Sequence, residues 1–240
     1  MYQRITHHIV EEHIHHPMGV GIAAEVAKRT APVPHTTPTP SVPAHRLRAR
    51  LAQTASAVQF QDRVHSAWAD LVWRLRHYLV SVVSVSDDLA AVQAQIQTDI
   101  AQVTATLAPY LPTELVNRFD TALKALVSAL STEISAVKTN TRTPAVQGAS
   151  VKAISDFAAV LAEINSQDWP VAAVVSIWNT ARESLVDQTA ARMTKDWFKD
   201  LQNVNTLHAD LVSGSVDHPL GFAAIFAQGV INQNPTKFAG

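Results

Sequence analysis

Apolar residues recur every three, four or seven positions along most of the chain after His45. This spacing places them along one face of an α-helix, whereas a half-buried strand needs alternation with a period of two, which no run of the sequence shows. Five such stripes follow one another, and a sixth, shorter helix is expected around residues 220–230. The five stripes cover residues 47–79, 89–107, 115–137, 151–164 and 171–204.

This pattern predicts an all-α protein, folded as an antiparallel bundle of four to six helices. Hydrophobic residues make up 47% of the 240 positions, which is enough to fill the core of such a bundle. Trp68, Ile100 and Leu126 lie on the stripes, and we therefore expect their side chains to be buried.

Some helix boundaries can be predicted from local chemistry. The first stripe is interrupted between Val58 and Val64, which indicates a kink in the first helix. A polar connection over residues 138–148 is expected between the third and fourth helices. Asp168 is expected to cap the fifth helix, with Pro170 in its first turn.

The chain before the bundle is interrupted by proline. Five of residues 30–44 are prolines, which lack an amide hydrogen and fix φ, so no helix can continue through this segment. We expect an extended, polyproline-like arm that joins a short, histidine-rich helix near residues 4–15 to the bundle. The predicted parts are the helix and arm of residues 1–44, the bundle of residues 45–213, and a short helix and tail in residues 214–240.

The composition excludes several classes of protein. The chain has no cysteine, so it contains no disulfide, no thiolate zinc site and no cysteine nucleophile. Its N-terminus is too polar for a secretory signal, and no stretch approaches the roughly 18–20 uncharged apolar residues of a membrane span. We therefore expect a protein that is not secreted through a signal peptide and that has no membrane partner.

Charge is unevenly distributed along the chain. The 19 basic and 20 acidic residues nearly cancel overall, but residues 26–86 contain eight basic and two acidic ones, a net charge of +6. This asymmetry favours an anionic partner for that region. Arg63 and Arg74 lie eleven positions apart on the first predicted helix and form a candidate phosphate-binding strip. A solvated basic face is the alternative interpretation.

Five histidines and two glutamates lie within residues 7–16. On a helix, His8, Glu12 and His16 follow one another at intervals of four and could present two imidazoles and a carboxylate to a divalent cation. The alternative is a surface contact or a pH-sensitive interface, because histidine titrates near neutral pH. We expect no cofactor, and these three residues are the candidates for a metal site.

The sequence contains none of the familiar catalytic patterns. It has no GxGxxG, P-loop, GxSxG or HExxH motif. Residues that are distant in sequence could still meet in space, since catalytic triads occur in several chain orders. We expect a structural protein and not an enzyme.

Three segments carry a resemblance to a known family. They are the Trp-bearing helix of residues 64–75, the LPTELVNRFD segment of residues 111–120, and the polar loop of residues 138–152 between two long helices. Their arrangement resembles the coat proteins of rod-shaped helical RNA viruses, whose cores are antiparallel four-helix bundles. The resemblance implies that basic residues of the loop contact RNA phosphates, and Lys138, Arg142 and Lys152 match by place. Asp120 stands where that family has a proline.

These observations predict a structural, self-assembling subunit. The expected form is a viral coat (capsid) protein that builds a helical or filamentous particle around nucleic acid, with single-stranded RNA as the candidate partner. Copies of the chain are expected to contact each other through the N-terminal arm and the C-terminal tail, because assembly subunits need segments that reach their neighbours. The alternative is a helical adaptor of a cell or phage whose histidine-rich N-terminus responds to pH or metal.

Overall fold

The computed structural model describes residues 54–215 and 217–239, all of which belong to one compact unit, Arg50–Gly240. Within them the chain forms seven α-helices and no strand, so the predicted all-α class is confirmed. The predicted N-terminal helix and proline-rich arm lie outside the described residues. The helices are α1 (Ala55–Ser84), α2 (Leu89–Leu107), α3 (Thr113–Lys138), α4 (Pro144–Asn165), α5 (Val171–Met193), α6 (Trp197–His208) and α7 (Gly221–Gln233).

Two short turns complete the described fold. A π-helical turn, Ala209–Ser213, follows α6 directly, and a 3-10 turn, Pro235–Lys237, follows α7. Asp210 is buried within the π-helical turn together with Leu211 and Val212.

Helices α3 and α4 run antiparallel, as their short connection predicts. Arg118 near the start of α3 pairs with Glu163 near the end of α4. Further along, the Ser150 hydroxyl of α4 donates to the backbone carbonyl of Ala129 in α3. The contact residues therefore have rising numbers along α3 and falling numbers along α4, as expected for an antiparallel pair.

Aromatic side chains from several helices form the centre of the core. The ring of Trp68 in α1 lies 5.9 Å from Trp178 of α5, 5.0 Å from Phe222 of α7 and 5.5 Å from Phe226 of α7. Edge-to-face and tilted arrangements of this kind add to the free energy gained by burying the rings. The predicted burial of Trp68 is confirmed.

Ile100 and Leu126, predicted to be core residues, are also fully buried. The interruption of the first stripe between Val58 and Val64 does not end the helix, because α1 is continuous from Ala55 to Ser84. Phe60 takes the core position in this turn and Val58 is exposed. The spacing from Ala57 to Phe60 to Val64 keeps the apolar face unbroken.

Two more boundaries differ from the prediction. The connection between α3 and α4 is shorter than residues 138–148, because Thr143 caps α4 through the amide of Val146 and Pro144 occupies its first turn. Pro at this position is favourable, since its missing amide hydrogen would have no partner there. Asp168 does not cap α5; Pro170 stands at the N-cap position.

The largest difference concerns residues 171–204, predicted as one helix. The structure breaks this segment after Met193, where Lys195 adopts a left-handed φ of 61°. The Asp196 side chain then accepts a hydrogen bond from the Lys199 amide and caps the new helix α6. This cap and the left-handed residue together redirect the chain.

The end of the chain packs against its own bundle. Phe238 is buried, and its ring stacks on Tyr110 at 4.9 Å and lies 5.2 Å from Phe60. The Thr54 hydroxyl donates to the Phe238 carbonyl at 2.6 Å. Helix α7 and the segment after it therefore belong to the same core as α1, and the bundle does not end at residue 213.

Helix α4 is long and apolar enough to cross a membrane by length and composition, with a mean hydropathy of 1.2 over 18 residues. Of this 18-residue window, 28% is buried in the described fold. In α4, Ile154, Phe157, Ala158 and Leu161 are fully buried against the other helices. The expectation of no membrane partner stays a prediction.

Replacing Gly229 by Ala is expected to destabilise the fold by about 1–3 kcal/mol, because the new methyl group overpacks the core. A Cβ at this position would lie 2.4 Å from ring atoms of Trp169, which is fully buried and stacked on Phe226. Gly148→Ala is the matched control, since a Cβ there meets nothing within 4 Å. The control should stabilise α4 by up to about 1 kcal/mol through helix propensity. Urea denaturation measures the free energy of unfolding of both variants. If Gly229→Ala and Gly148→Ala change it by the same amount in the same direction, the close packing of Gly229 against Trp169 is contradicted.

Candidate functional site

The predicted RNA contacts at the loop between α3 and α4 have partners within the protein. The Lys138 ammonium donates to the backbone carbonyl of Val83 at 2.9 Å. The Arg142 Nε donates to Glu133 Oε1 at 2.8 Å, and the Arg142 side chain is only partly exposed. These two cations are thus held against the bundle.

The other predicted basic residues are dispersed. Lys152 pairs with Asp156 one turn further along α4, where both side chains are largely exposed. Arg74 binds Asp99 of α2 at 3.1 Å. Arg63 is exposed, and no hydrogen bond or ion pair connects it to another described residue. The five predicted nucleic-acid contacts are therefore not gathered into one cluster, and their role stays a prediction.

Arg63 lies at an open groove of about 380 Å³ between α1 and α2. Asp62 and Asp70 lie in the same groove and offset the charge of Arg63, which makes the groove a poor match for phosphate. The lining residues are Asp62, Arg63, Ser66, Ala67, Asp70, Gln102 and Thr106.

The candidate metal ligands His8, Glu12 and His16 lie outside the described residues. In residues 54–215 and 217–239, no group of three or more His, Asp or Glu side chains could hold a metal ion.

Glu133 is the centre of a buried charge network. Its carboxylate accepts hydrogen bonds from Arg182 Nε at 2.8 Å and Arg182 Nη2 at 2.9 Å, in addition to Arg142. The side chains of Glu133 and Arg182 are 1% and 3% exposed. Burial acts to raise the pKa of Glu133, but hydrogen bonds from Arg182 and Arg142 hold that pKa below its ordinary value. The network joins α3, α5 and the loop before α4.

Asp200 is the centre of a second network, which fixes helix α6. Its carboxylate accepts from Arg76 of α1 at 2.7 Å and from Arg192 of α5 at 2.8 Å, and Asp200 is 3% exposed. Burial lowers the pKa of Arg76, and the nearby Asp200 charge opposes this shift. Val204 and Leu207 are buried on the same face of α6 as Asp200. One face of this helix is therefore anchored to the bundle by charge and by apolar contact.

Helix α6 and the end of α5 also expose large apolar side chains outside this buried face. Trp197 is 53% exposed, Phe198 73% and Leu201 60%, and Met193 at the end of α5 is 42% exposed. We call these four residues the α6 patch. Isolated exposed apolar residues are normal on a protein surface, but four of them within nine consecutive residues are typical of an interaction site.

The α6 patch is built on an ordered support. The Arg192 guanidinium lies 5.3 Å from the centre of the Trp197 ring, a cation–π contact. The same guanidinium binds Asp200, so the orientation of the indole is linked to the buried network. Asp196 caps the helix that carries Phe198 and Leu201. The patch thus consists of side chains on a fixed helix end and does not depend on a long loop.

The sequence pattern places Trp197 and Leu201 on the fifth apolar stripe, which predicts that both are in the core. In the structure both are exposed. The signal that could have corrected this is Asp196, a good N-cap residue in the middle of the stripe, which starts a new helix with a different buried face.

Comparison with known proteins gives no relative for this chain: no protein-family model, no curated protein and no solved structure matches it.

Proposed function

We propose that this chain is a structural subunit that assembles through protein–protein contacts and acts as the coat protein of a helical or filamentous particle. The observation that carries the proposal is the α6 patch. Its exposed aromatic and aliphatic side chains would be unfavourable on a subunit that works alone, and they become favourable when another protein covers them.

The rigidity of the bundle supports this proposal. Buried charge networks centred on Glu133 and Asp200 join helices that are distant in sequence. An assembly subunit benefits from such rigidity, because a preorganised surface loses less conformational entropy on binding than a flexible one. The end of the chain is less suited to contact a neighbour than predicted, since Phe238 is buried in its own bundle.

The nucleic-acid partner of the proposed coat is single-stranded RNA, and Lys152 is the best-placed of the predicted contacts. The Lys152 side chain is 74% exposed, and its pair with the exposed Asp156 is solvated. An exposed ion pair contributes little free energy, so a phosphate can replace the carboxylate at low cost. Lys138 and Arg142 must first leave their partners within the protein.

Size-exclusion chromatography of the purified full chain, with light scattering and absorbance at 260 and 280 nm, tests the proposal. A coat protein is expected to elute as particles far heavier than the 26.0 kDa chain and to retain nucleic acid that high salt removes. A small, discrete species free of nucleic acid would contradict the coat proposal. That result would favour the alternative, an adaptor that binds a different protein through the α6 patch.

A further inference from the structure

The size of the α6 patch can be compared with what a stable contact requires. Its four side chains are between 42% and 73% exposed. With roughly 150–250 Å² for a large side chain, they leave about 340–570 Å² of exposed surface on one copy. Two such patches facing each other would bury about 700–1,100 Å², and the upper end of this range meets the roughly 1,000 Å² expected of a biological interface.

The four side chains of the patch are uncharged, and the Arg192 guanidinium that lies against the Trp197 ring is paired with the buried Asp200. Trp197 and Leu201 lie on one flank of α6, and the same flank continues at helical spacing to His208, whose ring lies 5.7 Å from the exposed Trp73 of α1. Burial and the nearby His65 hold the pKa of His208 below its ordinary value, which favours the uncharged ring. Two copies of the flank can therefore approach without repulsion between like charges.

The edge of the patch carries both signs of charge. Lys195, Asp196 and Lys199 are exposed beside the aromatic side chains. When a surface meets a second copy of itself across a two-fold axis, each residue can contact a different residue of the partner. A rim with both lysine and aspartate can thus pair with its own copy, whereas a rim of one sign would repel it.

We propose that the α6 patch is a two-fold contact between two copies of this chain, with Trp197, Phe198 and Leu201 at its centre. The inference rests on the proposed function as an assembly subunit and names the partner of the same surface. The dimer formed in this way is the unit from which larger particles are built.

The absence of cysteine from the chain allows a direct test of this contact. Three single-cysteine variants are made in the full chain: Trp197→Cys, Phe198→Cys and Leu201→Cys. Residues close to a two-fold axis face their own copies, and a disulfide forms when the two Cα atoms are within about 7 Å. At least one variant is expected to form a covalent dimer under mild oxidation.

Gln97→Cys is the matched control, because Gln97 is exposed on α2, away from the patch in the sequence and on a different helix. A cysteine held in the contact has an effective concentration in the millimolar range, so it should cross-link roughly 100-fold faster than the control at micromolar protein. In parallel, Phe198→Glu places a buried charge in the contact and should reduce the mass of the dimer to that of one chain. Circular dichroism should show that Phe198→Glu keeps its helices, and Phe198→Leu should retain the dimer.

Three outcomes decide between the claims. Fast cross-linking at the patch, together with loss of the dimer in Phe198→Glu, supports the two-fold contact. An oligomeric wild-type chain whose patch cysteines react no faster than Gln97→Cys, and whose mass is unchanged in Phe198→Glu, overturns the contact but leaves the proposed function standing. A wild-type chain with the mass of one copy at all concentrations overturns both.

Discussion

Replacing Glu133 by Gln is expected to lower the free energy of unfolding by about 3–5 kcal/mol, which is the cost of leaving a buried charge without its partner. The glutamine keeps the shape of the side chain, so the change removes charge and little volume. Arg182 is 3% exposed and makes two hydrogen bonds to the Glu133 carboxylate. Urea denaturation followed by circular dichroism measures the loss.

Glu163→Gln provides a control on the exposed side of the same bundle. Glu163 pairs with Arg118, and both side chains are more than 40% exposed. Water solvates each partner when the other is removed, so this change should have a much smaller effect. If both variants lose a similar amount of unfolding free energy, burial does not determine how much the Glu133–Arg182 pair contributes to stability.

The pH dependence of the Glu133 variant follows from the direction of its pKa. The folded-state pKa of Glu133 lies below its ordinary value of 4.5, so the ionised carboxylate stabilises the fold. This contribution is complete above that ordinary value and is lost as the pH falls through the lower, folded-state pKa. The difference in stability between the wild type and Glu133→Gln should therefore be largest near neutral pH and narrow in acid.

Replacing Asp200 by Asn is expected to lower the free energy of unfolding by about 3 kcal/mol or more, because Arg76 and Arg192 both lose the charge that they share. Both guanidinium groups are largely buried and lie 2.7 and 2.8 Å from the Asp200 carboxylate. The loss should be concentrated in α6, which this contact anchors to α1 and α5.

Hydrogen exchange separates a local effect from a global one. In Asp200→Asn, the amides of α6 should exchange faster than those of α3, which Asp200 does not contact. Asp70→Asn, at an exposed position on α1, is the control and should change neither helix. A uniform increase in exchange over the whole bundle would contradict the role of Asp200 as the anchor of α6.

Helical periodicity was sufficient to predict the helices whose buried faces are apolar. In α2 and α3, the apolar residues at intervals of three, four and seven are buried, and the buried Asp99 and Glu133 lie beside this stripe without replacing any of its members. The same rule failed at α6. Its buried face is centred on Asp200, and a pattern that assigns charged residues to solvent places Trp197 and Leu201 in the core instead.

The candidate site was harder to predict for a related reason. Arg74 of α1 pairs with Asp99 of α2, and Arg76 of α1 pairs with Asp200 of α6. Arg142, in the loop after α3, pairs with Glu133 of α3. The sequence shows the number of basic residues in a region but not which of them are neutralised by the fold. The exposed apolar surface likewise results from where α5 ends, which depends on the backbone of Lys195 and the cap at Asp196.

Sedimentation equilibrium of the full chain over a wide range of concentrations tests the central claim most directly, since that claim is association between copies of this chain. The expected result is an average mass that increases with concentration. It should be a small multiple of 26.0 kDa at low concentration and the mass of a larger assembly at high concentration. A constant mass of one chain at every concentration would contradict the account.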